Sequence, residues 1–375
     1  MGSAAPPRHV HIEGLQTALP TRKVAPGLAR PVSVAAPPLP AAALQRRARV
    51  VLYYRAAEGE GDGAAAAWSP EEALLAKESL SEAVADHPEM AGRLRRRDDG
   101  SWEVKLNDTG VRFMLATVEA SVDDFVGAGG GEEAPEAALA PWTEVDADDP
   151  DMCALCFVQL TRFQGDGGYA VGVSCSLMLC DPASLARFLL SWARTHAEIR
   201  ARNKASPIPM MQYAAYFQRP GTMTRRVRSV PLHAFAAGAG ADSETVLFRA
   251  TTGGGGSTPD DDHRALARAC ADEASARLGA GKAAPPRVSL IVVAKEGVED
   301  NPRGMSVEEN CTAAVGSGGH DLEVARWEDL GLEEFALRES KPVHVSCSIV
   351  AGGDEGLVVV MPEGEGLLVT ATVPK

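Results

Sequence analysis

The 375-residue chain is long for one hydrophobic core and suits two domains or one large two-lobed α/β unit. Apolar residues make up 45% of it, which excludes global disorder. The net charge of −14 leaves no basic surplus to displace phosphate counterions, so nucleic acid is excluded as a partner.

The opening stretch "MGSAAPPRHVHIEGLQ" has no apolar h-region of a secretory signal. No later run reaches the ~18–20 uncharged apolar residues that span a bilayer, so the chain is expected to be peripheral to a membrane at most. Val10, Ile12 and Leu15 predict an edge strand ending by Pro20, and a Pro-rich connector leads to a second strand over 48–55. The Gly/Ala-rich "AAEGEGDGAAAA" reads as a solvated loop. Ser69-Pro70-Glu71-Glu72 then predicts a helix start with a capping box, and Leu74, Leu75, Leu80 and Val84 its buried face. In "RLRRRDDGSWEVKLND", Asp99-Gly100 predicts a hairpin turn, with Trp102, Val104 and Leu106 alternating on the second arm. Its four arginines beside two aspartates read as a solvated, self-neutralised face.

Two strands, "MCALCFVQLTRF" and "GGYAVGVSCSLML", follow a loop-rich region and are joined by the polar turn at 164–168. Leu185, Phe188, Leu189 and Trp192 give the next helix a buried face. Residues 201–245 read as a crossover. The second half carries the strands "TVLFRA", "RVSLIVVA", "HVSCSIVAG", "GLVVVMP" and "GLLVTATVP", with one helix, "DHRALARACADEASARL". Repeated strands with a few helices in both halves point to two α/β lobes of similar build, each a mixed sheet with flanking helices. The expected division is an N-terminal lobe over 1–205, a crossover over 206–245 and a shortened C-terminal lobe over 246–375.

The seven cysteines lie mostly in apolar runs (Cys153, Cys156, Cys175, Cys180, Cys347), as small core residues do in a reducing compartment. Cys153 and Cys156 form a CxxC without a second CxxC or a nearby histidine pair, so no metal is expected. His344 and Cys347 resemble a nucleophilic pair, but their i, i+3 spacing places them on opposite faces of a strand. His87 before Pro88 reads as a helix-end residue.

Two stretches carry a resemblance. "LSEAVADHPEMAGRLRRRDDGSWEVKLNDTGVRF" is similar to the first lobe of plant BAHD acyltransferases, with its "PxxAGRL" helix end and hairpin. "YAVGVSCSLMLCD" resembles the strand that ends in H-x-x-x-D in active members. The resemblance extends over most of the chain and implies a two-lobed acyl-CoA-dependent acyltransferase fold. It also implies a histidine base that deprotonates an alcohol or amine attacking an acyl-CoA thioester. Acyl-CoA is thus the implied possible substrate, with no resident cofactor.

This sequence departs from that pattern twice. Leu177 stands at the histidine position, four residues before Asp181, and leucine accepts no proton. Losing such a base removes roughly 10²–10⁴ of rate. The second family signature, D-F-G-W-G, is replaced by "ALRES" before Lys341-Pro342. No other histidine is near in sequence, since His196 lies fifteen residues beyond Asp181. Asp181-Pro182 is independently a good helix start. Leu177 and Leu179 are core residues or the lining of an acyl path.

Asp181-Pro182 and "GGDEGLVVVMP" are similar to the eceriferum-type branch, although many members of that branch keep the histidine. That resemblance implies an accessory factor in very-long-chain fatty acid elongation for cuticular wax. It would be a monomer working beside the elongase condensing enzyme, a 3-ketoacyl-CoA synthase, in the cytoplasm or on the cytosolic face of the endoplasmic reticulum. The alternative is an active O- or N-acyltransferase that takes its base from elsewhere or works by proximity alone.

Overall fold

A computed structural model describes residues 8–35, 37–56, 68–127, 135–205, 228–235, 243–251, 259–278, 287–294, 304–311, 320–353 and 355–374. Most of the expected solvated loop at 56–67 and of the crossover lies outside the described residues. In chain order the first elements are β1 (His9–Ala18), β2 (Ala29–Val34), α1 (Ala41–Leu44), β3 (Arg47–Tyr54), α2 (Pro70–Asp86) and β4 (Arg93–Arg96). There follow β5 (Trp102–Lys105), β6 (Val111–Val118), α3 (Val122–Gly127), β7 (Cys156–Phe163), β8 (Tyr169–Ser176) and α4 (Pro182–Ala205). The remainder are β9 (Arg228–Pro231), β10 (Ser243–Thr251), α5 (Pro259–Leu278), β11 (Val288–Val293) and β12 (Met305–Cys311). Last come β13 (Asp321–Ala325), β14 (His344–Val350), β15 (Gly356–Glu363) and β16 (Gly366–Pro374).

Among the described residues these strands form two sheets, ordered β14-β3-β8-β7-β6-β1-β9 and β13-β10-β16-β15-β11-β12-β2-β5-β4. Both are mixed: β6–β7 is parallel in the first, and β11–β15 and β12–β2 in the second. Helices α2 and α4 share a core with one face of the first sheet, and α5 packs on the second. This is the two-lobed α/β fold the sequence implies.

The sheets do not follow the division of the chain. β2, β4 and β5 come before residue 205 yet pair in the second sheet, while β14 returns to pair with β3 in the first. β9, from the expected crossover, covers β1, so β1 is not the edge strand that its sequence suggests. The Pro-rich connector contains β2, where Arg30 and Val32 are buried and Pro31 and Ser33 point to solvent. Prolines conceal this period-2 pattern, because proline is rare inside sheets.

Local signals hold well. Ser69 caps α2 in a full capping box, with Glu72 N donating to Ser69 Oγ (3.1 Å) and Ser69 N to Glu72 Oε2 (3.0 Å). The buried face of α2 differs from expectation: Ala73, Ala76, Ser79, Leu80, Ala83 and Val84 are enclosed, and Leu74 and Leu75 only half so. Small side chains let α2 lie close against α4, which no leucine stripe would allow. The β4–β5 hairpin turns at Gly100, whose φ of 83° suits glycine. Its arginines meet the expectation of a solvated face in part, Arg96 and Arg97 being exposed and Arg95 half-buried. Arg93 is buried and donates to the carbonyl of Gly92 (2.9 Å), while Arg95 and Arg97 pair with the buried carboxylate of Glu103 instead of the two aspartates.

β7 and β8 form the expected antiparallel pair, and Leu185, Phe188, Leu189 and Trp192 of α4 are all fully enclosed. Ser79 Oγ joins the helices: it accepts from Trp192 Nε1 (3.0 Å) and lies 2.9 Å from His196 Nδ1. Burial pushes the His196 imidazole down to about 4, partly opposed by its hydrogen bond to the Leu337 backbone. The unfolded ring titrates near ~6.5, so between the two values the unfolded chain binds a proton that the native ring refuses. The neutral ring's contribution is complete above ~6.5 and is lost as pH falls toward 4, on the order of 3 kcal/mol. A His196→Gln variant is therefore expected to show a flatter stability profile than the parent between those values in denaturant titrations; parallel profiles would refute the assignment.

Candidate functional site

The turn between β8 and α4 is built to be sealed. Ser176 ends β8, and its carbonyl accepts from the amides of Leu179 (2.9 Å) and Cys180 (3.2 Å), while its hydroxyl accepts from Met178 N (3.2 Å). Leu177 N donates to the carbonyl of Arg46 (3.0 Å). The side chains of Leu177, Met178 and Leu179 are fully buried in the main core. Asp181 caps α4: Oδ1 accepts from Ser184 N (2.8 Å) and Oδ2 from Ser184 Oγ, with the Asp181 carbonyl accepting from Leu185 N (2.9 Å).

Two arginines that sequence reasoning missed hold this turn. Arg30, buried on β2, donates through Nη2 to the carbonyls of Met178 (2.6 Å) and Leu179. Burial lowers its pKa, opposed by the nearby Cys180, Glu89 and Asp181. Arg46 joins the sheets: its guanidinium pairs with Glu309 of β12, including Nη2 to Oε2 at 2.9 Å, and donates from Nε to the carbonyl of Ala351 (3.2 Å). Ser289 Oγ adds a third donor to Glu309 (3.0 Å). Only Arg46 in "QRRARVV" and the acidic pair in "MSVEENC" hinted at this, as charges inside strand-like runs.

Within the turn the carboxylate of Asp181 is engaged as the cap of α4. Cys175 and Cys180 lie with their sulfurs 3.5 Å apart, and hydrogen bonding to Cys156 and Cys180, with burial, holds the Cys175 thiol far above its ordinary range. Such a thiol is neither nucleophile nor base. His196 sits roughly 20 Å along α4 from the turn at ~1.5 Å per residue. His87 ends α2, edge-on to Phe188 and 3.5 Å from Glu89. On β14, His344 packs on Tyr53 on one face while Cys347 packs against the main core on the other.

The "ALRES" segment lies at the far end of β8. Arg338 stacks over Trp68 (4.6 Å) and Tyr169 (5.2 Å) and pairs with Glu72 at the start of α2 (2.9 Å). Its role there is to fasten the base of β8 and α2, away from the turn.

The structure is thus a two-lobed α/β fold in which a strand, a sealed turn carrying Leu177 and a helix capped by Asp181 follow one another. Residues 65–236 match the Transferase family, a stretch that contains the hairpin, β8, the turn and α4. Among curated relatives, a hydroxycinnamoyltransferase of Narcissus pseudonarcissus is 35% identical over 125 residues, 32% of this chain and 27% of that protein. The protein ECERIFERUM 26-like of Arabidopsis thaliana is 31% identical over 112 residues, 29% of this chain and 25% of that protein. The chain thus matches between about a quarter and a third of the length of such relatives. Vinorine synthase, among solved structures, aligns over 98% of this chain and 95% of its own at 15% identity and a TM-score of 0.45. Over that stretch the chain is similar to the Transferase family and to these acyltransferases.

Asp181→Ala is expected to lower stability by ~0.5–2 kcal/mol in equilibrium denaturation, with Asp181→Asn close to wild type, because the loss is that of a cap. For the buried pair, Arg46→Met or Glu309→Leu alone should cost ~3–5 kcal/mol by stranding the partner's charge. The double variant should recover most of that loss, and equal losses in single and double variants would show that the ion pair is not what joins the sheets there.

Proposed function

We propose that this protein is an acyltransferase-fold accessory factor in very-long-chain fatty acid elongation for cuticular wax, and not itself a transferase. One observation carries the reading: the residue in the base position, Leu177, is an apolar side chain sealed in the core. The likeness to ECERIFERUM 26-like supports the wax assignment. In this proposal Leu177 and Leu179 keep the former catalytic turn packed, and Asp181 remains because α4 needs its cap. The partner is a 3-ketoacyl-CoA synthase at the cytosolic face of the endoplasmic reticulum, and the species being extended is an acyl-CoA.

The hydroxycinnamoyltransferase relatives favour a second reading, acyl transfer from a CoA thioester to an alcohol or amine. Two measurements separate them. Co-expression with a condensing enzyme in yeast should lengthen the acyl chains in the lipid profile, and purified protein should turn over no acyl-CoA with a panel of alcohols and amines. Unchanged chain lengths together with measurable turnover would replace the accessory role by the enzymatic one.

A further inference from the structure

The first sheet has a second face, turned away from α2 and α4. At one end of it Val51, Tyr53, Ala116, Val118 and Phe163 are covered by α3 and the segment around Leu139. The covering chain runs so close that a Cβ on Gly172 of β8 would lie 2.0 Å from the carbonyl oxygen of Leu139. At the other end the cover lifts away and leaves a cavity of about 840 Å³ between the strands and the stretch from Ala137 to Glu144. That volume suits a small organic ligand, for which ~300–1,000 Å³ is usual.

Its floor is cationic and its walls are apolar. Arg47 and Arg49 project from β3 beside Met114 and Phe157, with Trp142 in the opposing wall. The Arg47 guanidinium lies 5.2 Å over the Trp142 ring and donates once, to the Gln45 carbonyl (2.9 Å). The Nε atoms of both arginines are buried without a hydrogen-bond partner, and neither forms an ion pair among the described residues. The carboxylate nearest in influence to Arg49, Glu136, is already taken by Tyr53 OH (3.0 Å) and Ser346 Oγ (2.8 Å). Glu144 also lines the cavity and acts electrostatically on Arg47, but leaves its Nε unpartnered. Gln159, fully buried on β7 in the same cavity, uses Nε2 on Ala138 O (3.0 Å) and Thr161 Oγ1 (2.8 Å) and leaves Oε1 unpartnered.

Burial lowers both arginines, Arg47 to about 10 with the like charge of Arg49 as the next cause. Arg47 stays charged at neutral pH on that value, and the two guanidinium groups stand at i, i+2 on one strand face with spare donors. Desolvated cations of this kind are costly unless a counter-charge arrives, and a guanidinium fork takes a carboxylate or phosphate in two parallel bonds. We propose that this cavity is a binding site for an amphipathic anion, its charged head held by Arg47 and Arg49 and its apolar body lying against Trp142, Phe157 and Met114. The head is a carboxylate, as in a free organic acid, or a phosphate, as in a CoA thioester. The site stands apart from the accessory role: lost chain-length effects would leave binding intact, and lost binding would leave the chain-length result to be judged alone.

Calorimetric titration of the whole protein with decanoate, decanoyl-CoA and decanol tests it. Saturable binding of decanoate or decanoyl-CoA to one site, at least tenfold tighter than decanol, is expected, and whichever anion binds tighter identifies the head. Arg49→Met should weaken that anion at least tenfold while raising the melting temperature, because it removes an unpaired buried charge; an arginine held only for packing would lower it and leave affinity unchanged. Should Arg49→Met not fold, Arg49→Lys, which keeps the charge but loses the fork, should weaken binding several-fold. Decanol binding as tightly as the anions, or neither anion binding at millimolar concentration, overturns the proposal.

Discussion

Two buried arginines hold the β8–α4 turn and tie it to the second sheet. Arg30 reaches from β2 to the carbonyls of Met178 and Leu179, while Arg46 holds Leu177 through its own carbonyl and Glu309 through its guanidinium. A turn buried this deeply has no water to satisfy its carbonyls, so the donors must come from protein. For Met178 and Leu179 they come from Arg30 on β2, a strand of the other sheet. The sheets are thus joined through the backbone of the β8–α4 turn.

How much of this could be read in advance depended on the range of the interaction. The capping box at Ser69, the Asp99-Gly100 turn and the helical face after Asp181 are decided within a few residues, and their signatures stand in the sequence. β2 is masked by Pro31, and β12 ("MSVEENC") and β13 ("DLEVA") by their polar residues. The arginine-rich hairpin misleads in part: whether Arg93 or Glu103 is buried is settled by neighbours that the local sequence does not contain. At the site itself Leu177 and Asp181 were visible as a departure and a retention. Arg30, Arg46 and Glu309 were not, since each acquires its meaning from a partner far along the chain.

The stretch that matches the Transferase family, 65–236, holds the turn, its cap and the hairpin. Every residue of the clamp, from Arg30 and Arg46 to Glu309 and Ala351, lies outside it. The part of the molecule most similar to its relatives is therefore held in place by parts outside the match. In the turn itself the aspartate caps α4 and the leucine fills the core, and neither task involves a proton.

The exchange of strands also governs when the molecule can fold. β3 stays an open edge until β14 arrives, and Arg46 and Ala351 are separated by 305 residues. Until the second half is made, β3 has no partner on its outer side, and β2, β5 and β4 can pair only with one another. Pairings of such long range form slowly and expose sticky edges meanwhile. For this protein the order in which strands are synthesised and the order in which they can all be paired are therefore different.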